Sequence, residues 1–575
     1  MAFSAAAAAP AGCGSRAMKS NGSIAAGDKP RKTSNLIRKD SRSESFCLQI
    51  VLYQKRIQNA AGPWKPMDRR AADQREHRSA RIISMSNGGR RDGTGSVPTD
   101  GLPRARPGEV GIDARLLEGF LDAMAADGID LHSLVLHRKG YVAAEMYWWP
   151  YGPERPRVMH SVAKSFTACA IGMALEEGRF ALSDKVVGFF PEYVPADPGE
   201  YLTAMTVEDL LTMRTGHAEE TSGSRWRGLR SSWIAEFFRI PVVHRPGTVY
   251  KYTSAASYML SAILTKTTGE RLHDYLRPRL FAPLGISGET WDMGPDGINP
   301  GGNGLTCRTV DMLKLGILHV RKGMWQGKRL LSERWIDTAT RAHTPEGYGY
   351  HWMSGPRRTF CAMGVFGQLL VVFPDHEAAL ALTGAVNGIN ACTGTLLPRV
   401  HGHFPAVFSE TVGDLRAAEE SLEARARRVA AAPQSTGAAT PAGRRGQLEY
   451  RMEPNPLDVS ALQLNLTADT CTLRMDDGED GQIIAMGLGR WLESEASVPA
   501  PELHHGYEMR RARVVASARW TDPDTLEMTW IFVESAFRDT VICRFEGECI
   551  RYSRTVNVNS AALSQPAMLG RLIPS

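Results

Sequence analysis

Residues 244–286 read HRPGTVYKYTSAASYMLSAILTKTTGERLHDYLRPRLFAPLGI. Pro246 and Gly247 make a turn, Tyr250 and Tyr252 alternate along an extended piece, and Ser254 stands at the start of SAASYMLSAILTKTTG, a helix stopped by Gly269. A tyrosine in that place suits a serine activated by lysine. Its phenolate, stabilised by a neighbouring ammonium, can shuttle a proton to a leaving group. Taken alone, a tyrosine ahead of a helix is more often packing, so the stretch directs attention to a serine and a lysine elsewhere in the chain.

HSVAKSF, residues 160–166, supplies them. Ser161 opens SVAKSFTACAIGMALEEG, a run of helical length with few β-branched residues and Gly178 placed as a C-terminal cap. Positions three apart share a helix face, which stands Ser161 and Lys164 one above the other. A serine hydroxyl is a weak nucleophile until a base takes its proton, and burial or a cationic neighbour would lower the lysine pKa toward the working range. Free NH groups at the helix start suit a developing oxyanion. The plainer alternative has Lys164 in solvent and Ser161 capping the helix. A third piece is CAMGVFGQLLVV, where Gly364 and Gly367 would let a strand approach a ligand closely enough for a backbone NH to donate. There the alternative is that the glycines only relieve crowding.

The 575 residues are 43% hydrophobic, enough for a large enzyme domain with an accessory domain. The formal charge of +6 is uneven: residues 1–100 hold 18 Lys or Arg against 8 Asp or Glu, and the remainder is slightly acidic. A nucleic-acid groove in the folded part is therefore not expected. Nine cysteines without framework spacing argue against a disulfide scaffold and fit a reducing compartment. Cys13 and Cys47 fall in the leader, while Cys169, Cys361 and Cys543 sit in apolar surroundings. Without CxxC, HExxH or a Gly-rich phosphate loop, no metal and no cofactor are expected. The Ala-rich N-terminus lacks a basic n-region, and no apolar run reaches bilayer length, so a cytoplasmic protein without a membrane span is expected.

Residues 1–105 read as a disordered basic leader, with Met85 as a candidate true start. A globular domain follows over 106–430. Its first elements are an amphipathic helix at ARLLEGFLDAMAAD and a β-hairpin at LHSLVLHRKGYVAAEMYWW with RKG as its turn. MTVEDLLTMRTG is a short helix stopped by Gly216, TVDMLKLGILHV another helix, and GVFGQLLVVFPDHEAALALTG two antiparallel strands. Residues 431–446 are a linker by composition. A small antiparallel β domain is expected over 447–560, from segments such as TCTLRM, LEMTWIF and TVICRF, with a tail over 561–575. Trp148, Trp149, Tyr151, Trp226 and Trp233 lie near or between the motifs, as an acyl pocket or as core.

Together the pieces resemble the serine beta-lactamase and penicillin-binding superfamily, in the branch of class C beta-lactamases, D-amino peptidases, carboxylesterases and nylon-oligomer hydrolases. SVAK matches its SxxK motif, YTS its Tyr-x-Asn or Tyr-x-Ser motif, MTVEDLLTMRTGH its conserved leucine-rich segment, and residues 244–286 its "PG..F.YSN" pattern. Resemblance covers roughly residues 110–400. It implies an α+β fold, an antiparallel sheet flanked by helices with an all-helical subdomain. It also implies Ser161 as nucleophile, Lys164 as its activating amine and Tyr252 as proton relay, with Ser254 beside them. The Lys-Thr-Gly or His-x-Gly motif falls on Ala362, Met363 and Gly364, so the basic residue that recognises a substrate carboxylate is missing. The form Gly364-Val365-Phe366-Gly367-Gln368 instead resembles esterase and nylon-oligomer hydrolase members, with the Val365 NH joining that of Ser161 as oxyanion donor. The activity implied is acyl transfer from a small-molecule ester or linear amide, of unspecified oligomeric state. Rival readings are a catalytically silent binding scaffold and a beta-lactamase or D-amino peptidase.

Overall fold

The computed structural model describes residues 100–218, 228–388, 392–411, 413–434, 441, 444–476, 482–499 and 501–574. The expected leader, except residues 100–105, lies outside them, as do Met85, Trp226 and linker residues 435–440.

Helix α1 (Ala114–Ala126) starts at Asp113, whose carboxylate accepts from the Arg115 NH, and buries Leu117, Phe120, Leu121 and Met124 on one face. Strands β1 (Asp130–Arg138) and β2 (Tyr141–Tyr147) form the expected hairpin. Its turn residues Lys139 and Gly140 both take positive φ, 48° and 94°, the twist a two-residue hairpin requires. Further along come β3 (Met353–Ser354), β4 (Phe360–Gly364), β5 (Gln368–Phe373) and β6 (Ala378–Ala385). They complete an antiparallel sheet in the order β2-β1-β6-β5-β4-β3. Strands β5 and β6 are buried at every position, as strands covered on both faces must be. Helix α4 (Thr309–Val320) lies against β1, β5 and β6, and Gly316 permits that approach: a Cβ there would stand 2.8 Å from Leu370 Cδ1. This is an α+β fold with a central sheet flanked by helices.

Helix α2 (Ala163–Glu176) and helix α3 (Ser254–Thr268) pack on each other, with Val207–Leu211 and Trp233–Arg239 against α3. α3 ends where Gly269 turns left-handed, and the Val207–Leu211 helix opens with a capping box between Thr206 and Asp209. Among the described residues no helix is long and apolar enough to cross a membrane.

The C-terminal region is a nine-stranded β-barrel rather than a small antiparallel sheet. Strand neighbours run from Gln482–Leu488 through Thr470–Asp476, Ala461–Leu466, Gly446–Met452, Met568–Leu572, Cys549–Val556, Arg538–Glu546 and Thr525–Phe532 to Met509–Asp522. A parallel pairing of Gly487 with Ser517 and Leu488 with Ala518 closes the ring, and Leu492–Val498 pairs antiparallel with the first part of Met509–Asp522. The strand at Met568–Leu572 brings residues beyond 560 into the ring, between Gly446–Met452 and Cys549–Val556. Closure satisfies both edges of the sheet, which an open sheet of alternating strands would leave unpaired. Large side chains fill the interior, including Leu462, Leu473, Met486, Trp520, Met528 and Trp530.

Candidate active site

The chain reaches Ser161 through a short strand, Arg157–Val158, paired with Leu305–Cys307, and a single 3₁₀ turn, His160–Val162. Ser161 is half-buried in that turn, one step ahead of α2, and His160 before it holds a left-handed φ of 47°. Lys164, in the first turn of α2, is 1% exposed. Its ammonium donates to Ser161 Oγ at 3.2 Å, to Ser254 Oγ at 2.9 Å and to the Gly302 carbonyl at 2.8 Å. The plainer reading of this pair is thereby excluded, because the lysine is inside and neither the turn nor α2 has a side-chain cap.

Tyr252 and Ser254 arrive from the other side. The Pro246-Gly247 turn, with Gly247 at φ 82°, leads into the extended piece that delivers Tyr252, and Ser254 is the first residue of α3. Lys164 Nζ stands 4.8 Å from the centroid of the half-buried Tyr252 ring, which meets Tyr348 edge-on at 6.1 Å. Burial, with Tyr252 beside it, pushes the Tyr348 phenol well up. Beneath them His351 Nε2 lies 3.0 Å from Ser257 Oγ, while its carbonyl accepts from Ser165 Oγ at 2.7 Å. Burial first, and then the Lys164 charge, hold the His351 imidazole down to about 3, so it is neutral at ordinary pH.

The glycine-rich strand end lies beside the segment that leads to Ser161. A Cβ on Gly364 would stand 2.6 Å from the Met159 carbonyl, so this end of β4 runs against the backbone two residues before Ser161. Phe366 (φ 70°) and Gly367 (φ 111°) turn the chain into β5, and Cys392 Sγ donates to the Gly364 carbonyl at 3.1 Å. Gln368 is buried behind the turn. Val365 is half-buried, and both it and the fully buried Phe366 belong to the barrel's apolar cluster rather than to that of the sheet.

Sequence reasoning missed Gly301 and Gly302. Thr167 Oγ1 donates to the Gly301 carbonyl at 2.7 Å, and the Gly302 carbonyl is a direct partner of Lys164. Cβ atoms there would press on α3, at 2.7 Å from the Ser257 carbonyl for Gly301. The run Gly301-Gly302-Asn303-Gly304 was the available signal. Of the suggested pocket aromatics, Trp149 packs on Trp491, Tyr151 stacks on His132, and both border Val515, Ile531 and Val533 of the barrel. Trp233 packs on Tyr258, and Trp148 lies against the main core. Cys169, Cys361 and Cys543 are buried free thiols, which burial pushes up. Among the described residues no group of three or more His, Cys, Asp or Glu is placed to hold a metal ion.

Residues 132–390 match the family model described as Beta-lactamase. The chain is 25% identical over 323 residues to the 6-aminohexanoate-dimer hydrolase of Paenarthrobacter ureafaciens, covering 49% of this chain and 81% of that one. It is 28% identical over 345 residues to penicillin-binding protein 4 of Amycolatopsis lactamdurans, covering 51% and 84%. Among solved structures, the octameric penicillin-binding protein homologue from Pyrococcus abyssi is 15% identical with a TM-score of 0.42, over 80% of this chain and 99% of that one. Residues 132–390 are thus similar, at low identity, to the beta-lactamase and penicillin-binding-protein superfamily, including its esterase and nylon-oligomer hydrolase branch.

Proposed function

We propose that the protein hydrolyses a small ester or linear amide through an acyl-enzyme on Ser161. Ser161 Oγ attacks the carbonyl carbon while its proton passes to Lys164 in its neutral-amine form and is relayed on through Tyr252, and the backbone NH groups of Ser161 and Val365 donate to the oxyanion. Tyr252 hands the proton to the leaving group. Water then loses a proton to the same pair, its oxygen attacks the acyl carbon, and Ser161 is freed. The observation that carries this reading is the buried Lys164 Nζ, held at once by Ser161 Oγ, Ser254 Oγ and the Gly302 carbonyl. Such a cluster fixes the proton path before substrate arrives, which is where a positioned base gains its rate.

Substrate class rests on what β4 lacks. Ala362, at the place of the family's Lys or His, is a buried methyl group and brings no cation to a substrate carboxylate. That favours a neutral ester or linear amide over a β-lactam or a D-amino peptide. The relative named as a hydrolase of the 6-aminohexanoate dimer points the same way.

The test is the initial rate on a short-chain p-nitrophenyl ester for the wild type and Ser161→Ala, side by side. Ser161→Ala is expected to lose nearly all of the activity. Equal rates in both, or none in either, would sink the ester-hydrolase assignment and leave the silent binding scaffold or a narrow amidase in front.

A second expectation concerns Gly364→Ala. Its Cβ meets the Met159 carbonyl at 2.6 Å, so β4 must shift relative to the turn that carries Ser161. Misplacement on the ångström scale costs on the order of a hundredfold in rate. We expect kcat on the same ester to fall by about that factor, with far-UV circular dichroism unchanged. A wild-type kcat would mean that β4 does not border the reacting carbonyl.

A further inference from the structure

We infer that the C-terminal barrel is a working part of the active site, with Tyr507 and Phe366 as positioning residues that clamp the two backbone segments carrying the oxyanion donors. The inference rests on the assignment of Ser161 and Val365 proposed above.

The first segment is held through His160. Its Nδ1 lies 3.1 Å from the Tyr507 hydroxyl, and its ring meets Tyr507 edge-on at 5.4 Å. The second is held through Phe366, the residue after Val365. That ring is fully buried in the barrel's apolar cluster, edge-on to His505 at 5.3 Å, to Phe537 at 5.6 Å and to His160 at 5.7 Å. One aromatic knot therefore joins the residue before the nucleophile to the residue after the second donor. Both His160 and Phe366 have left-handed backbone, at φ 47° and 70°. Bulky residues leave that region unless their surroundings hold them, and such retained strain is a mark of preorganised sites.

The barrel side is built to stay in place. Pro499, just ahead of the Pro501–Tyr507 segment, is fastened by Arg554, which donates to its carbonyl at 2.7 Å and, through Nε, to Asp539 at 2.7 Å. His504 Nε2 stands 3.0 Å from Asp539, Asn559 donates to the Glu502 carbonyl at 2.8 Å, and His505 pairs with Ser560. Arg554, Asp539 and His504 are all fully buried. Although burial works to raise it, Arg554 and His504 hold the Asp539 carboxyl below its ordinary value. Buried ion networks are poor sources of net stability, so a role in fixing the loop accounts for this one better.

The strand leading into Ser161 is pinned as well. The Val158 NH donates to the Glu534 carbonyl at 2.8 Å, and Arg155 makes a two-pronged ion pair with Glu493 at 2.9 and 2.7 Å. A carrier function for the barrel is not supported, because its interior is packed with side chains. What it offers the site is rigidity, and an oxyanion site works by donors fixed in advance.

The experiment measures kcat and KM on the p-nitrophenyl ester for wild type, Tyr507→Phe, His160→Asn and the double variant, with Ser161→Ala as blank. Tyr507→Phe keeps the ring and removes the hydroxyl; His160→Asn keeps a residue tolerant of left-handed backbone and withdraws the imidazole. Each single change is expected to lower kcat about tenfold with KM within about twofold and an unchanged melting temperature. The double variant should be no slower than the worse single one, since both remove the same link. A wild-type kcat in Tyr507→Phe, an effect confined to KM, or losses that multiply would each overturn the clamp while leaving Ser161 in its role. A wild type no faster than Ser161→Ala would overturn the nucleophile assignment, and the clamp with it.

Discussion

Lys164→Met is expected to lower kcat on a short-chain ester by about three orders of magnitude, within the range a positioned general base or acid contributes. Methionine nearly matches the stem in length and suits the buried position, so the change isolates the amine. In the wild type that group donates to Ser161 Oγ, Ser254 Oγ and the Gly302 carbonyl, and the variant leaves all three without it. The lost chemistry is the proton path away from Ser161. A buried carbonyl left unsatisfied costs about 1–3 kcal/mol, so a lower melting temperature should accompany the rate loss without unfolding the chain. Pre-steady-state release of p-nitrophenol reads the acylation step directly. A loss of less than about tenfold there would take the base role from Lys164 and leave Tyr252 as the group to test next.

The parts legible in the sequence are those whose signal is local. The hairpin turn at Lys139-Gly140 and the stop at Gly269 each follow from a few adjacent residues. The Ser161–Lys164 pair was legible for the same reason, since helical spacing fixes which residues share a face. The resemblance then connected Tyr252 and Ser254, some ninety residues away, to that pair.

What stayed illegible is long-range or lies in the backbone. The Gly302 carbonyl carries no side-chain signature, although it accepts directly from Lys164 Nζ. Phe366 reads as one more apolar residue in a glycine-rich turn; nothing in its neighbours shows that its ring joins another cluster. Tyr507 is 347 positions from His160. Alternating burial in TLEMTWIF gives strands their faces but not their neighbours, so an open antiparallel sheet and a closed barrel predict the same pattern. Closure depends on Gly487 and Leu488 meeting Ser517 and Ala518 in parallel, a pairing no turn specifies. Trp149 and Tyr151 stayed open between acyl pocket and core for a related reason, because an interface with the barrel selects the same large aromatics as an acyl pocket.

Lowering the pH from 7 toward 4.5 is expected to unfold the protein, and buried neutral histidines are the cause. His132, His137, His217 and His319 are each pushed down to about 4, and His351 to about 3. All five are 1–2% exposed. Burial leads in every case, and each has a cation beside it: Arg157, Arg321, Lys251, Lys322 and Lys164 in turn. In the unfolded chain a histidine titrates near its ordinary value of about 6.5. Between that pH and the folded value, the unfolded chain binds more protons than the native one, so stability rises with pH. The contribution is therefore complete above about 6.5 and is lost as the pH falls toward 4. Each group changes stability by up to about 1.4 kcal/mol per pH unit, and five together reach about 7, against a total stability usually near 5–15 kcal/mol. Urea unfolding at pH 7, 6 and 5 should show a midpoint that drops steeply over the last unit. His319 hydrogen-bonds the Leu315 carbonyl and packs on Trp352, and His319→Gln removes its titration. That variant should be less stable at pH 7 and show a shallower dependence by about one proton. A midpoint that stays flat from pH 7 to 5 would mean that these imidazoles take up protons in the native state, against the burial that surrounds them.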